Sequence, residues 1–309
     1  MQPSELPAIP QASGIASSLR EARAGQVLCI DAKGEVVGSS SRQMIASFAV
    51  LFVVFGGLAS LGAIVADWLL GPSAATVAFM VVLIGCLEWG RRMGATARAL
   101  ELMGRGALGE AEACASAAAS SRLMSRGSRG NARLVEGSAI WLQGDLPRAL
   151  DVTRRAIAEL GTPTKPYRAV SLLARFNEVQ LLAVLGDRQG ARERLEGIEA
   201  EGLPEGDLVR LQWIDTCLVL AFEEDDPSSL PEDLADWIDA TLRTNRFGTT
   251  LVLLAWASER RDETDLVPQL LDVACDRLAE CRIEDAHPRL ARWWNDASAR
   301  WLGAARSDG

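Results

Sequence analysis

The sequence predicts an all-α protein with an N-terminal two-helix transmembrane hairpin, followed by an α-solenoid that ends in a capping helix. Three observations support this prediction. Residues 43–89 contain no Lys or Arg, a glycine turn recurs between amphipathic segments, and the last helical segment gathers its apolar side chains on one stripe. The predicted domains are residues 1–43, residues 44–90 and residues 91–309.

The hairpin is predicted from two apolar runs. Residues 45–66 carry no formal charge, and about 20 apolar residues suffice to cross a hydrocarbon core. Residues 74–87 are a shorter run, which the flanking Pro72 and Trp89 extend to a short span with an aromatic edge. The sequence therefore predicts anchoring of the chain by two membrane-crossing helices.

The basic residues predict the orientation of the hairpin. They flank it on both sides, and the turn between its helices has none, so both termini and the solenoid are expected on the cytoplasmic side of a bacterial inner membrane. If the second helix does not cross, the orientation reverses. The flanking basic residues are Arg20, Arg23, Lys33 and Arg42 before the hairpin and Arg91, Arg92, Arg98 and Arg105 after it.

Charge is unevenly distributed along the chain, whose net charge is −9. Residues 91–133 carry a balance of +5, which suits anionic lipid headgroups, and residues 134–309 carry −12. An acidic domain does not neutralise phosphates, so nucleic acid is not expected as a partner.

The N-terminal segment is predicted to be cytoplasmic and partly disordered. Residues 1–24 are rich in Pro, Ser and Ala and cannot bury much apolar surface. Residues 27–30, VLCI, and residues 35–37, EVV, have the composition of two very short strands around a turn.

A repeated turn organises the region after the hairpin. Gly106, Gly144 and Gly186 each end one helical segment and precede another, at intervals of 38 and 42 residues. Each unit is therefore predicted to be a helix, a tight glycine turn and a second helix.

One unit resembles a known family. Residues 137–157, GSAIWLQGDLPRALDVTRRAI, are similar to the tetratricopeptide repeat: Gly137 matches the small residue of its first helix, Gly144 the turn, and Ala149 and Ala156 the small residues of its second helix. The resemblance covers residues 91–200.

The match departs from the family pattern in three respects. Arg133 stands where the family usually has an aromatic residue, Glu136 stands where it has Leu, and the intervals between turns exceed the usual length.

The resemblance implies a concave groove, lined by the first helix of each pair, that would bind a protein or peptide partner. An equally weighted reading places Trp141 and Phe176 in the core between repeats. The groove residues that the family geometry implies are Asn131, Leu134, Ser138, Trp141, Leu173, Phe176, Gln180 and Val184.

The helical periodicity continues to the C-terminus with poorer turns. It predicts two further helix pairs, over residues 208–222, 230–242, 248–258 and 266–281, and a capping helix over residues 288–305. The stripe of that last helix is formed by Leu290, Trp293, Trp294, Ala297 and Trp301.

The sequence contains no recognisable catalytic, metal-binding or cofactor-binding motif, so an enzyme, a metal, a cofactor and a small-molecule substrate are not expected. The six cysteines have no ligand spacing. The acidic run at residues 223–226 is expected to form a solvated loop.

These features favour a scaffold or adaptor that binds other proteins at the cytoplasmic face of the membrane. The alternative is a structural or regulatory subunit of an integral membrane complex, in which the hairpin makes the essential contacts.

Overall fold

The computed structural model describes residues 27–30, 36–39, 57, 72–122, 124–161, 167–202, 207–244, 248–278 and 283–307. Apart from Gly57, the apolar run at residues 45–66 lies outside the described residues, as does the segment predicted to be disordered. Strands β1 (Val27–Ile30) and β2 (Val36–Ser39) pair antiparallel, with Val27 opposite Ser39. They lie at the two segments with strand composition.

The first long helix, α1 (Pro72–Gly104), crosses the boundary predicted between residues 90 and 91. Its C-terminal part packs on α2 (Leu108–Ala119), and Ala99 is fully buried there. Within the part of the chain that the structure describes, no helix has both the length and the apolar character that a membrane crossing needs.

The remaining described helices stack as antiparallel pairs, as the sequence predicts for an all-α chain of helical repeats. They are α3 (Arg126–Leu142), α4 (Leu146–Leu160), α5 (Arg168–Val184), α6 (Arg188–Ala200), α7 (Asp207–Glu224), α8 (Ala235–Thr244), α9 (Gly248–Arg260), α10 (Val267–Leu278), α11 (Ile283–Ala286) and α12 (Pro288–Ser307).

The turn that joins the two helices of a pair recurs five times in the described residues. Gly106, Gly144 and Gly186 adopt φ of 74°, 86° and 91°, and Asp225 and Asp262 adopt φ of 59° and 61° at the equivalent places. In all five turns the backbone N–H of this residue donates to the carbonyl oxygen three residues before it. The repeat therefore continues through the distal half of the chain.

Past residue 203, the turns at Asp225 and Asp262 have the positive φ and the backbone hydrogen bond of the glycine turns. Aspartate is one of the few L-residues that enters the left-handed region readily, because its short side chain can form local hydrogen bonds. Asp226 follows Asp225 and accepts a hydrogen bond from the Ser228 N–H at 3.0 Å, as an N-cap does.

An ion pair recurs with the repeat as well. Arg133 Nε lies 2.7 Å from Glu159 Oε1, and Arg175 Nη1 lies 2.6 Å from Glu201 Oε2. Both residues of the second pair lie 42 positions after those of the first, which is the interval between Gly144 and Gly186. Arg133 thus links the two helices of its pair by an ion pair, at the position where the tetratricopeptide pattern has an aromatic residue.

The two helices of a pair approach closely at small residues. A Cβ atom on Gly137 would lie 2.9 Å from Thr153 Oγ1, and Ala149 and Ala156 are fully buried. These are residues that carry the resemblance to the tetratricopeptide unit, and here they permit α3 and α4 to pack together.

Substituting Ala for Gly186 tests the left-handed turn. With φ of 91° the Ala variant is expected to lose about 1–2 kcal/mol of unfolding free energy, because a Cβ atom in this region meets the following carbonyl oxygen. Gly197→Ala, inside α6 with nothing within 4 Å of the added Cβ, should instead gain about 0.5–1 kcal/mol. Urea unfolding of both variants measures the difference. Equal changes in unfolding free energy would contradict a left-handed backbone at Gly186.

The last helix caps the stack, as the stripe predicts. On α12, Leu290 and Ala297 are buried, and Trp293 and Trp301 donate their indole N–H groups to Glu259 at 3.1 and 2.9 Å. Glu259 lies near the end of α9, so these bonds attach the cap to the last pair of helices.

Candidate functional site on the inner face of the helix stack

The inner face is the surface formed by the first helices of the pairs, α3, α5, α7 and α9. The structure places the eight residues of the implied groove on α3 and α5, but it does not leave them open. Leu134, Trp141, Phe176 and Gln180 are buried, and Asn131, Ser138, Leu173 and Val184 are half-buried.

Trp141 and Phe176 therefore have the packing of core residues, which was the alternative reading of these two positions. Phe176 is 0% exposed, and Trp141 is 8% exposed. The physical reason is that α5, which carries Phe176, packs against α7, and that α11 packs on α3, which carries Trp141.

A buried polar network joins three first helices. Asp215 on α7 accepts hydrogen bonds from Thr250 Oγ1 on α9 at 2.7 Å and from Gln180 Nε2 on α5 at 2.9 Å. Gln180 Nε2 also lies 3.0 Å from Thr216 Oγ1. Because this carboxylate receives donors from both sides, the network fixes the register of α5, α7 and α9.

The charge state of this network follows from its burial. Burial raises the pKa of Asp215, and the hydrogen bonds from Thr250 and Gln180 lower it in part. Gln180 is buried and donates to Asp215 and Thr216, so in this structure it connects helices of the inner face.

The chain returns to the inner face near its C-terminus. We call residues 283–289 the return segment: α11, His287, Pro288 and Arg289. The Trp141 indole N–H donates to the backbone carbonyl of Ala286 at 3.1 Å, across 145 positions of sequence. The His287 ring lies 5.3 Å from the Trp141 ring, and Ile283 and Ala286 are buried.

A second contact holds the other end of the return segment. Arg289 Nη1 donates to the backbone carbonyl of Glu223 at 2.6 Å and lies 3.3 Å from Glu223 Oε2. The Arg289 guanidinium also lies 5.1 Å from the centre of the Phe222 ring. Burial raises the pKa of Glu223, and Arg289 lowers it in part.

The acidic run at residues 223–226 is not the solvated loop that the sequence suggested. Each acid has its own partner: Glu223 pairs with Arg289, Glu224 with Arg192 and Asp225 with Arg260, while Asp226 caps a turn. The run lies at the end of α7, where α6, α9 and α12 each supply an arginine.

His287 makes the return segment sensitive to acid. Burial lowers the pKa of His287 to about 4, whereas in the unfolded chain the pKa is near 6.5. The unfolded state thus takes up a proton first as the pH falls, so stability that is present above pH 6.5 is lost towards pH 4.

This is the one histidine of the chain, so His287→Gln should remove the contribution of this ring to the dependence of stability on pH. Between about pH 6 and 4.5 the unfolding free energy of the unsubstituted protein should fall by up to about 1.4 kcal/mol per pH unit relative to the variant. Urea titrations across this range measure it, and parallel pH profiles for the two proteins would contradict the burial of the ring.

Sequence reasoning missed the return segment because its contacts join distant parts of the chain. The polar network left a weak signal: Gln180, Asp215 and Thr250 are polar residues in apolar helices at equal intervals of 35. Among the described residues, no group of three or more His, Cys, Asp or Glu side chains could hold a metal ion.

No protein family, curated protein or solved structure matches this chain.

Proposed function

We propose that this protein is a scaffold that is held at a membrane by residues 44–90 and binds other proteins through its stacked helix pairs. The observation that carries the proposal is α1, one continuous helix with an apolar exposed first half and a second half inside the stack. Val77, Met80, Val81 and Ile84 are 63%, 48%, 64% and 59% exposed.

The exposed apolar stripe on α1 supports the anchor. Four large apolar side chains at helical spacing are unfavourable in water, because each buried apolar side chain is worth about 1.5–3 kcal/mol. The charge-free residues 45–66 precede this stripe, and Arg91 and Arg92 follow it. Apolar side chains next to a basic edge suit lipid tails and headgroups.

The first helix of the anchor would supply the apolar length that the second helix lacks. Residues 45–66 are long enough to cross a bilayer alone, whereas residues 74–87 are short, so the second helix would cross packed against the first. Ala59 and Ala63, four positions apart, are small enough to permit that close packing.

The stacked pairs support the scaffold. Stacked helical repeats present extended surfaces that such proteins use for binding. Anchoring raises the effective concentration of such a surface for a partner at the same membrane, so a weak contact suffices.

Exchange of the anchor tests the proposal. Residues 44–90 are replaced by an unrelated two-helix anchor, and a photo-crosslinking residue is placed at Leu185, which is exposed at the end of α5. The scaffold predicts the same crosslinked proteins with both anchors. Their loss with the foreign anchor would overturn the scaffold and favour the subunit whose hairpin makes the essential contacts.

A crosslinking residue at Glu196 is the matched control. Glu196 is exposed on α6, the second helix of its pair, so it reports on the outer side of the stack. Adducts specific to the Leu185 position are expected. Identical adducts at both positions would mean that the inner face has no particular role.

A further inference from the structure

Three groups of the inner face hold the return segment. The Trp141 indole N–H binds a backbone carbonyl, the Trp141 ring packs on a side-chain ring, and Glu223 with Phe222 binds a guanidinium. A hydrogen bond to a main-chain carbonyl does not depend on which residue supplies it. The inner face therefore contacts the return segment largely as a peptide groove contacts a ligand.

The position that the Arg289 guanidinium occupies, beside Glu223 and Phe222, requires a positive charge. The Glu223 side chain is 9% exposed, and a buried carboxylate without a partner is costly. Whatever covers the end of α7 must therefore bring a positive charge to Glu223. The ring of Phe222 favours a planar guanidinium over a compact ammonium.

Besides the contacts with Trp141 and Glu223, the return segment contacts the stack through its apolar side chains and through Asp285, which lies against Gly144. Its buried apolar side chains are Ile283 and Ala286, while Glu284, Asp285 and Pro288 are exposed. The α12 helix behind it is attached separately, through Leu290 and the indole bonds to Glu259. Because Pro288 and Arg289 begin α12, release of the segment would unwind the first turn of that helix, while Leu290 and the indole bonds keep the rest of the cap attached.

We propose that the return segment is an autoinhibitory occupant of a peptide-binding site on the inner face. The site takes a peptide that forms a helical turn, with a small residue, then a ring, and an arginine two positions after the ring. In the chain itself these positions are filled by Ala286, His287 and Arg289. The inference rests on the proposed recruitment of a partner protein by the helix stack, and it does not depend on the membrane anchor.

The covalent connection explains why the site is closed in this chain. A segment tethered to its own site has an effective concentration in the millimolar range. A partner peptide must compete with it, so recruitment is suppressed until the partner is abundant or the segment is weakened.

Peptide titration of the full chain in detergent tests the site. The probe is a fluorescent peptide with the sequence of residues 283–292, IEDAHPRLAR. A variant with His287→Ala and Arg289→Ala should bind it at least tenfold more tightly than the unsubstituted protein. Asn295→Ala, which changes an exposed residue of the same helix, should leave the affinity unchanged. Equal affinities for all three proteins would overturn the proposal.

The role of the Trp141 indole N–H as a hydrogen-bond donor is tested by adding Trp141→Phe to the variant with His287→Ala and Arg289→Ala. This change keeps a ring and removes the indole N–H, so peptide affinity should fall at least tenfold. Unchanged affinity would mean that the peptide binds elsewhere and would overturn the site. The titration uses detergent-dispersed protein, so its outcome is separate from whether the chain sits in a membrane or keeps its partners after anchor exchange.

Amide hydrogen exchange of the unsubstituted protein gives a result that needs no variant. The His287 N–H donates to the Ile283 carbonyl at 2.8 Å. If the return segment opens on its own, fragments covering residues 283–291 should exchange at least tenfold faster than fragments from α7. A smaller difference would show that the segment opens only with the whole stack, and it would overturn the autoinhibitory role.

Discussion

Replacing Phe176 by Ala should lower the unfolding free energy by about 3–5 kcal/mol, because removal of a buried ring leaves a cavity that the surrounding helices fill only in part. Phe176 is 0% exposed and packs in the main apolar core. The urea unfolding midpoint of the detergent-dispersed protein is the measurement.

Leu185→Ala is the matched control. Leu185 lies at the end of the same helix and is 40% exposed, so its substitution should change the unfolding free energy by no more than about 0.5 kcal/mol. Similar small effects at both positions would contradict the core assignment and return Phe176 to an open groove. A loss of partner binding in Phe176→Ala would therefore report unfolding.

Introducing Val81→Arg and Ile84→Arg together should move the helix stack to the other side of the membrane. Val81 and Ile84 are 64% and 59% exposed on the α1 stripe. An arginine near the centre of a membrane helix costs about 2.5–3.5 kcal/mol. The second helix should therefore fail to cross, while residues 45–66 still cross, so the helix stack should move to the opposite face.

An engineered cysteine reports the change of side. Glu196→Cys should resist a membrane-impermeant maleimide in intact cells and react after permeabilisation. With the two arginines it should react in intact cells. The same chain without the Glu196 substitution corrects for native cysteines, and Leu185→Arg controls for an added charge. Protection that persists despite the two arginines would contradict a crossing by α1.

The helices were predictable because their signal is local. Apolar residues at helical spacing indicated residues 208–222 and 248–258, and the structure has helices at Asp207–Glu224 and Gly248–Arg260. The predicted helix at residues 230–242 begins later, at Ala235. A 3-10 turn at Pro227–Ser229 and an extended Leu230 come before it. Leu230 is extended because it precedes Pro231, and a residue before proline disfavours the helical conformation.

The distal turns and the covered inner face were not predictable for two different reasons. A residue type does not reveal a left-handed backbone, so Asp225 and Asp262 were not recognised as equivalents of Gly186. The contact of Trp141 with Ala286 joins residues far apart in sequence, and helical periodicity has no information about such contacts. The family resemblance implied an open groove because it concerned one repeat and not the C-terminal segment.

The N-terminal apolar segment is proposed to fix the stack of helix pairs to a membrane. Flotation of cell membranes on a density gradient, after an alkaline carbonate wash and without detergent, tests it most directly on the full chain. A membrane-anchored protein should rise with the lipid. Recovery of the folded chain in the aqueous fraction at the bottom of the gradient would contradict it.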